Sequence, residues 1–464
     1  MSATTFEAAE LLARHAHTVR HVRRGWMITV GGLLAVLVYL TYAWTAFDIS
    51  GLIANAEPER AVLLGTDAVA HKVHITKGLR RQGDFEVAIE GERTATYGQQ
   101  PDRPYPAWVR ADPEGRHVDI DLGGGYRATI DGDVTTLTVP DYGTIRVWIE
   151  GGEVLADLPE GPVPDWIRHA RHPTSDLLIK FDARPTIGRR VQVTRSKIEV
   201  HRYFLGWENF FFPFRSPLHG MSPAALAALV TVEPRLDPAL PNWQLILKTF
   251  WDNPEWQHGV IAVALFETIL MAVLGTFTAA LVGLPLAFLA ARTFNKIGPI
   301  RFFLRRLFDF LRGIDMLIWS LIFIRAFGLG PLTGALAIAF TDTGTLGKLF
   351  SEALENIDRK QEEGVQSTGA NFFQRTRFGV IPQILPVFVS QGLYYLESNT
   401  RSATVIGALG AGGIGLVLVE TMRTSRDWEN TLYIIILTVM VVMTMDALSS
   451  WLRRRLIQGA SGAP

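Results

Sequence analysis

Cysteine occurs nowhere in the 464 residues, so disulfide bonds, thiol catalysis and cysteine-ligated metal sites are excluded. Charge is scarce as well: Asp, Glu, Lys and Arg make up only 19%, and 45 basic residues against 45 acidic ones leave no net charge. Without a basic excess nothing points to nucleic acid, and basic residues carry meaning by position and not by number. A G-x-x-x-x-G-K-S/T run is also missing; residues 344–348 fall short of that spacing, so the sequence shows no ATP-hydrolysing site of its own. What fills the chain instead is apolar. Hydrophobic residues make up 48% and mean hydropathy is positive, a balance that points to a membrane protein before any motif is considered.

A segment needs about 20 mostly apolar residues to cross roughly 30 Å of hydrocarbon. Three runs meet that plainly: 26–47, 260–291 and 432–452. The first follows Arg20, Arg23 and Arg24 and carries Trp26, Tyr42 and Trp44 near its ends, where interfacial aromatics belong. Its length, with no small-residue cleavage site after it, favours an uncleaved anchor over a signal peptide. The histidines beside it, His15, His17 and His21, are expected at headgroup level. The second run holds Pro285 and one charge, Glu267; the third ends in Arg453, Arg454 and Arg455. Weaker runs at 307–327, 332–350 and 384–409 contain polar residues, and topology decides for them. Six crossings put the basic residues 292–306, 359–377 and 453–455 on the same side as Arg20, and dropping any one crossing would send a basic loop outward. Both termini are then cytoplasmic, residues 48–258 lie outside the membrane, and the lipid bilayer is the first partner.

Residues 48–258 change character. Val, Ile, Thr and Tyr alternate with polar residues, broken by Gly-Gly, Asp-Gly and Pro-Asp turns such as Asp131-Gly132, which predicts an antiparallel sandwich or barrel. Asp119 and Asp121 fall on one strand face with acids and histidines nearby; exposed strand and turn carboxylates of this kind are ordinary surface chemistry, not a catalytic or metal site. The stretch 204–258, rich in aromatics, is expected to return the chain to the bilayer surface through interfacial helices. The layout is therefore an N-terminal arm and first transmembrane helix at 1–50, an extracytoplasmic β-rich domain at 51–203, the return segment at 204–258, a helical core at 259–456 and a cytoplasmic tail at 457–464. The fold class is a mainly α membrane protein whose inserted β-rich domain lies between the first and second transmembrane helices.

Two features inside the core could mislead. Residues 406–415, IGALGAGGIG, hold a literal G-x-G-x-x-G at Gly410, Gly412 and Gly415, but no strand precedes it and no βαβ unit surrounds it, as a dinucleotide site requires. Gly407, Gly410, Gly412, Gly413 and Gly415 read instead as a bend or close helix contact at the end of a span. Glu397 and Arg401 stand four apart with the acid first, the favourable order for a helical pair. Together with Asn399 and Thr404 they make the most polar stretch of any span. Such a stretch either lines a water-filled pathway or ties the bundle together by an internal salt bridge, and the sequence leaves both open. Glu267, Asp315, Arg325, Asp342 and Asp446 are lonelier and read as structural pairs or interface charges.

The stretch 363–386, EGVQSTGANFFQRTRFGVIPQILP, is polar and basic between two apolar runs. Its spacing resembles the cytoplasmic coupling loop of ABC importer permeases: Glu363 opens a short helix, Gly369 follows six residues later, and Ile381-Pro382 ends the loop. Gly364 and Val365 replace the family's usual Ala-Ala, and Gly379 stands where an aliphatic residue is usual. With ETILMAVLGTFTAALVGLPLAFLAAR, WSLIFIRAFGLGPLTGALAIAF, GKLFSEALENID and RSATVIGALGAGGIG, the half of the chain from 255 to 456 is similar to type I permeases, the phosphonate importers above all. The resemblance implies a six-helix type I ABC permease bundle and a homodimer with a second copy of this chain. It further implies a cytoplasmic ABC ATPase dimer gripping the loop through Glu363, Gly369, Ile381, Pro382, Arg375 and Arg377, and an extracytoplasmic phosphonate-binding protein delivering the cargo. No cofactor or metal is called for. Rival readings are the same importer class for phosphate, phosphite or methionine, and a membrane-anchored extracytoplasmic sensor or assembly protein, which would need one span and not six.

Overall fold

The structure, a computed structural model, describes residues 16–56, 58–79, 85–89, 96–98, 104–112, 115–172, 177–424 and 428–461. The arm through His15, the β-rich run at 90–95 and the tail at 462–464 lie outside the described residues. The chain forms two units, Met1–Leu64 and Gly65–Pro464.

In the first unit, α1 (Ala16–Ala46) contains the apolar stretch Arg23–Ala46. Thr29 and Thr41 return their hydroxyls to the carbonyls of Gly25 and Leu37 one turn back, so an otherwise apolar helix carries polar side chains without unmet donors. A short α2 (Ile49–Ala54) follows, with the Asp48 carboxylate accepting the Gly51 N–H at 3.1 Å. The next helix, α3 (Pro58–Asp67), runs to the end of the first unit and into the second. Helices therefore occupy the start of the region expected to be β-rich from residue 51.

The second unit opens with twelve strands: β1 (Ala70–Gly78), β2 (Phe85–Ile89), β3 (Val109–Ala111), β4 (His117–Gly123), β5 (Tyr126–Asp131), β6 (Val134–Val139), β7 (Gly143–Glu150), β8 (Glu153–Asp157), β9 (Ile167–Arg171), β10 (Leu178–Thr186), β11 (Arg189–Thr194) and β12 (Lys197–Leu205). They form two six-stranded sheets, ordered β2-β1-β12-β11-β10-β9 and β3-β4-β5-β6-β7-β8, with antiparallel pairing throughout the described ladders. Ile75, Phe181, Val193 and Ile198 of one sheet share a single core with Val118, Ile120, Ile130 and Leu137 of the other, so the architecture is a sandwich and not a barrel. In β4 the alternation works as read: Val118, Ile120 and Leu122 point inward, while Asp119 faces out beside Arg127 at 3.4 Å and Asp121 bonds the Gly123 N–H. Among the described residues no cluster of His, Asp and Glu could hold a metal.

The outer face of the first sheet is covered as well. Ala88 is fully buried there and His201 is only 6% exposed. His201 pairs in register with His74 on one side and Arg190 on the other, and its Nδ1 finds no hydrogen-bond partner among the described residues. Arg184 binds Asp67 through two hydrogen bonds, and Arg190 binds Asp182 in the same way. Burial first, then the cations Lys72 and Arg190, hold the His201 imidazole well below the ordinary histidine range.

Beyond β12 come α4 (Pro223–Thr231) and α5 (Asn242–Trp251). The aromatic run between sandwich and core gathers into one knot. Phe210 meets the rings of Trp256 at 4.8 Å and Tyr433 at 5.3 Å, and Phe250 stacks on His258 at 4.0 Å. His258 also holds the Tyr433 hydroxyl at 2.9 Å and the Phe210 carbonyl at 2.7 Å.

The core then runs through α6 (His258–Ala290), α7 (Gly298–Gly313), α8 (Met316–Phe327), α9 (Pro331–Glu355), α10 (Arg359–Ser367), α11 (Phe372–Arg375), α12 (Ile381–Ile406), α13 (Gly413–Thr424) and α14 (Trp428–Ser461). Small residues bring α6 against α9: a methyl at Gly283 would stand 3.3 Å from the Gly347 nitrogen, the close backbone approach that membrane bundles favour. Among the described residues three helices are long and apolar enough to cross a membrane, and the bent pair ending in α13 would be a fourth. The span expected at 307–327 is two helices. Its first part belongs to α7, whose basic face carries Arg301, Arg305 and Arg312; the chain turns extended at Ile314, and the Asp315 carboxylate caps a new helix by accepting the Leu317 N–H at 2.8 Å. An aspartate that close to an apolar run starts a helix more readily than it continues one.

Candidate functional site

The connection between α9 and α12 is built from local rules that the sequence states openly. Asp358 caps α10 by accepting the Lys360 N–H at 3.0 Å. The helix therefore opens four residues before Glu363, which sits exposed in its middle and not at its start. Its neighbour Glu362 is the engaged carboxylate, 12% exposed and 3.2 Å from Arg375. Arg375, expected to be free for a partner, is thereby a brace inside the loop, and its guanidinium also reaches the Gln366 side chain at 3.2 Å. Gly369, with φ of +85°, ends α10 in the left-handed conformation that glycine adopts without penalty. Asn371 and Gln374 then form a reciprocal capping box, 2.9 Å in both directions.

The return to the core is equally tight. Residues Thr376–Val380 make one π-helical turn leading into α12. A methyl on Gly379 would stand 3.3 Å from the Glu362 Cα, so the close packing of α10 against this turn favours glycine there. The Gln383 side chain accepts the Asp358 N–H at 2.9 Å and donates to the Gly379 carbonyl at 2.6 Å. Ile381 and Pro382 lie in the first turn of α12, where a proline's missing N–H costs nothing. The loop is thus one braced body joined to two long helices. A polar cavity of about 690 Å³ opens on one flank of α11, beside Gln361, Gly364, Gly369 and Gln374. Arg377 faces a different, apolar cavity on the other flank.

The polar residues of α12 do not form one wall. Glu397, Arg401 and Thr404 follow the i, i+4, i+7 spacing of one helix face. Glu397 lies 3.4 Å from Arg401 on its own helix and 3.4 Å from Arg453 of α14, so its side chain, 12% exposed, is held between two cations. Arg401 is exposed and the Thr404 hydroxyl returns to the Thr400 carbonyl. Asn399 points elsewhere, into the packing of α6, α9 and α12, where it is 1% exposed and donates to Thr276 at 2.8 Å and to the Asp342 carboxylate. Sequence reasoning singled out Asn399 and Asp342 separately and missed their union, because nothing in one strand of text aligns two helices.

At its far end α12 runs into a second π-helical turn, Gly407–Ala411. Gly410, Gly412 and Gly413 all have positive φ, and α13 departs at a 58° bend. Glu267, which looked solitary, accepts the Gly413 N–H at 3.1 Å while Thr268 accepts that of Ile414 at 2.9 Å. Together they cap the start of α13, where a carboxylate also meets the positive end of the helix dipole.

The helical half matches the family model described as "Binding-protein-dependent transport system inner membrane component" over residues 283–461. The chain is 36% identical over 213 residues to the phosphate-import permease protein PhnE of Mycolicibacterium smegmatis, covering 46% of this chain and 39% of that one. It is 32% identical over 221 residues to the putative phosphite transport system permease protein HtxC of Stutzerimonas stutzeri, covering 47% of this chain and 77% of that one. It is 43% identical to a putative cryptic phosphonate transport system permease protein of Escherichia coli, covering 26% of this chain and 99% of that one. The chain spans about two-fifths of the first of these relatives but more than three quarters of the other two, and with a braced loop between two long helices it belongs to the family of binding-protein-dependent transport system inner membrane components.

Proposed function

We propose that the chain is the permease subunit of an ABC importer that moves phosphonates, or the related oxyanions phosphite and phosphate, across the inner membrane. The observation that carries the reading is the loop at 358–382. It is cross-braced by its own side chains and joined to α9 and α12, so a push on it would move both helices as a body. A separate ATPase dimer would bear on the exposed Glu363 and Gly369 beside the polar cavity, with Arg375 stiffening the loop from within and Ile381-Pro382 passing the motion into α12. Two copies of the chain would form the route, and an extracytoplasmic binding protein would deliver the cargo. In this reading the six crossings are α1, α6, the α7–α8 pair, α9, α12 with α13, and α14; the termini and the loop lie in the cytoplasm and the sandwich outside. Glu397, Arg401 and Thr404 share the face that could meet the route, while Asn399 supports it from within the packing. Names of relatives favour a phosphorus oxyanion over methionine as cargo.

The test is uptake of radiolabelled methylphosphonate, phosphite and phosphate by cells lacking the gene and complemented with wild type, Glu363→Arg or Gly369→Val. Uptake of at least one label should depend on the wild-type gene and fall tenfold or more in the variants, with membrane levels unchanged. Variant uptake equal to wild type removes the loop's coupling role; gene-independent uptake of all three labels removes the cargo class.

A further inference from the structure

The two flanks of α11 differ in chemistry. The side carrying Gln374 faces the polar cavity, whereas Phe372, Phe373 and Arg377 face a second cavity of about 850 Å³ whose other walls are Phe288 and Leu289 from the last turns of α6, Phe294 and Ile381. Phe288 and Phe294 set their rings edge to face at 5.2 Å. Phe373 is 80% exposed and Phe372 52%, an unusual degree of exposure for adjacent aromatic side chains in a polar loop. α6 is the most apolar of the candidate spans and ends at Ala290, so this cavity opens where a span leaves hydrocarbon for the headgroup layer.

Basic residues predominate around it, although the Glu355 carboxylate accepts the Arg292 backbone N–H at 2.6 Å. Arg377 lines the cavity with its guanidinium over the Phe378 ring at 5.7 Å. Arg292 and Lys296 flank the lining segment, and Arg301 donates to the Asn295 carbonyl at 3.2 Å. Among the described residues none of these four cations is ion-paired with a carboxylate, although nearby Arg305 is, to Glu355. An apolar slot with, among the described residues, an arginine free of carboxylate partners in its wall and further cations beside its lining segment complements one kind of molecule: an acyl chain carrying an anionic head.

We propose that this cavity holds an anionic phospholipid, its acyl chain against Phe288, Leu289 and Phe373 and its phosphate toward Arg377, so that α11 is gripped by lipid on one flank and left free for a protein partner on the other. The inference rests on α6 being a membrane span and is independent of the cargo.

Native mass spectrometry of the purified full chain with phosphatidylglycerol or phosphatidylcholine of identical acyl chains tests it. Phosphatidylglycerol should be retained at least fivefold better, Arg377→Gln should reduce that preference at least threefold, and a photoreactive acyl chain on phosphatidylglycerol should crosslink within 288–294 or 372–381. Equal retention of the two lipids, or crosslinks confined to other segments, would overturn the proposal. So would displacement of phosphatidylglycerol by millimolar inorganic phosphate, which would show a site for the anion alone. If Arg377→Gln fails to fold, the wild-type crosslink position still decides.

Discussion

A carboxyl group 2% exposed among helices, hydrogen-bonded to an amide with no cation beside it among the described residues, is an unstable thing to bury alone. Asp342 is tolerable because Asn399 gives it a donor, and Asn399 is itself steadied by Thr276. Removing the donor leaves the carboxyl unsatisfied, whereas removing both partners leaves an apolar contact. Asn399→Leu should therefore destabilise the protein by on the order of 2 kcal/mol, seen as a lowered unfolding midpoint in detergent. Adding Asp342→Leu should restore part of that loss; a double variant less stable than Asn399→Leu would show that the pair does more than satisfy itself. This part of the site was half legible. The residue types stood out in apolar text, but their distance across 57 positions of chain did not.

At the scale of elements, the sheet containing β1 and β12 presents a polar face whose centre, around Ala88 and His201, is withdrawn from water. His201 is faced by His74 and Lys72 from β1, Arg190 from β11, Arg184 and Asp182 from β10, and Tyr203 and Glu199 from its own strand, with Asp67, Glu86 and Glu429 near Lys72 and His74. Burial depresses the pKa of His74 too. A histidine whose folded pKa lies below its unfolded value of about 6.5 contributes stability that is complete above that pH and is lost as pH falls beneath it, because the unfolded chain takes up a proton the folded one refuses. Amide exchange in β1, β11 and β12 of the full chain should accelerate between pH 6.5 and 5 after correction for intrinsic rates, and His201→Gln should flatten that dependence. A profile unchanged by the substitution would place the sensitivity elsewhere. The strands themselves were readable from period-two alternation, since burial on one face writes itself into sequence. The covering of the second face was not, because His74, Lys72, His201 and Arg190 look like ordinary solvent-facing residues until something lies over them. The break at Ile314 was missed for a related reason: hydropathy sums over a window, while the Asp315 cap is a single residue acting on a single N–H.

For the whole molecule, the proposed topology rests on where basic residues fall between apolar helices, a rule about loops and not about the bundle. It predicts opposite sides of the membrane for two exposed positions, Asp133 in the β5–β6 turn and Glu363 in the braced loop. The complete lack of cysteine makes this directly measurable: Asp133→Cys and Glu363→Cys each introduce one thiol into an otherwise unreactive chain. A membrane-impermeant maleimide added to spheroplasts should label the first within minutes and the second only after permeabilisation. Labelling of Glu363→Cys from outside would put the loop beyond reach of any cytoplasmic motor and dismantle the importer reading, while leaving the sandwich, the Asp342–Asn399 pair and the family membership untouched. Labelling of neither from outside would show the sandwich to be internal and overturn the proposed six crossings.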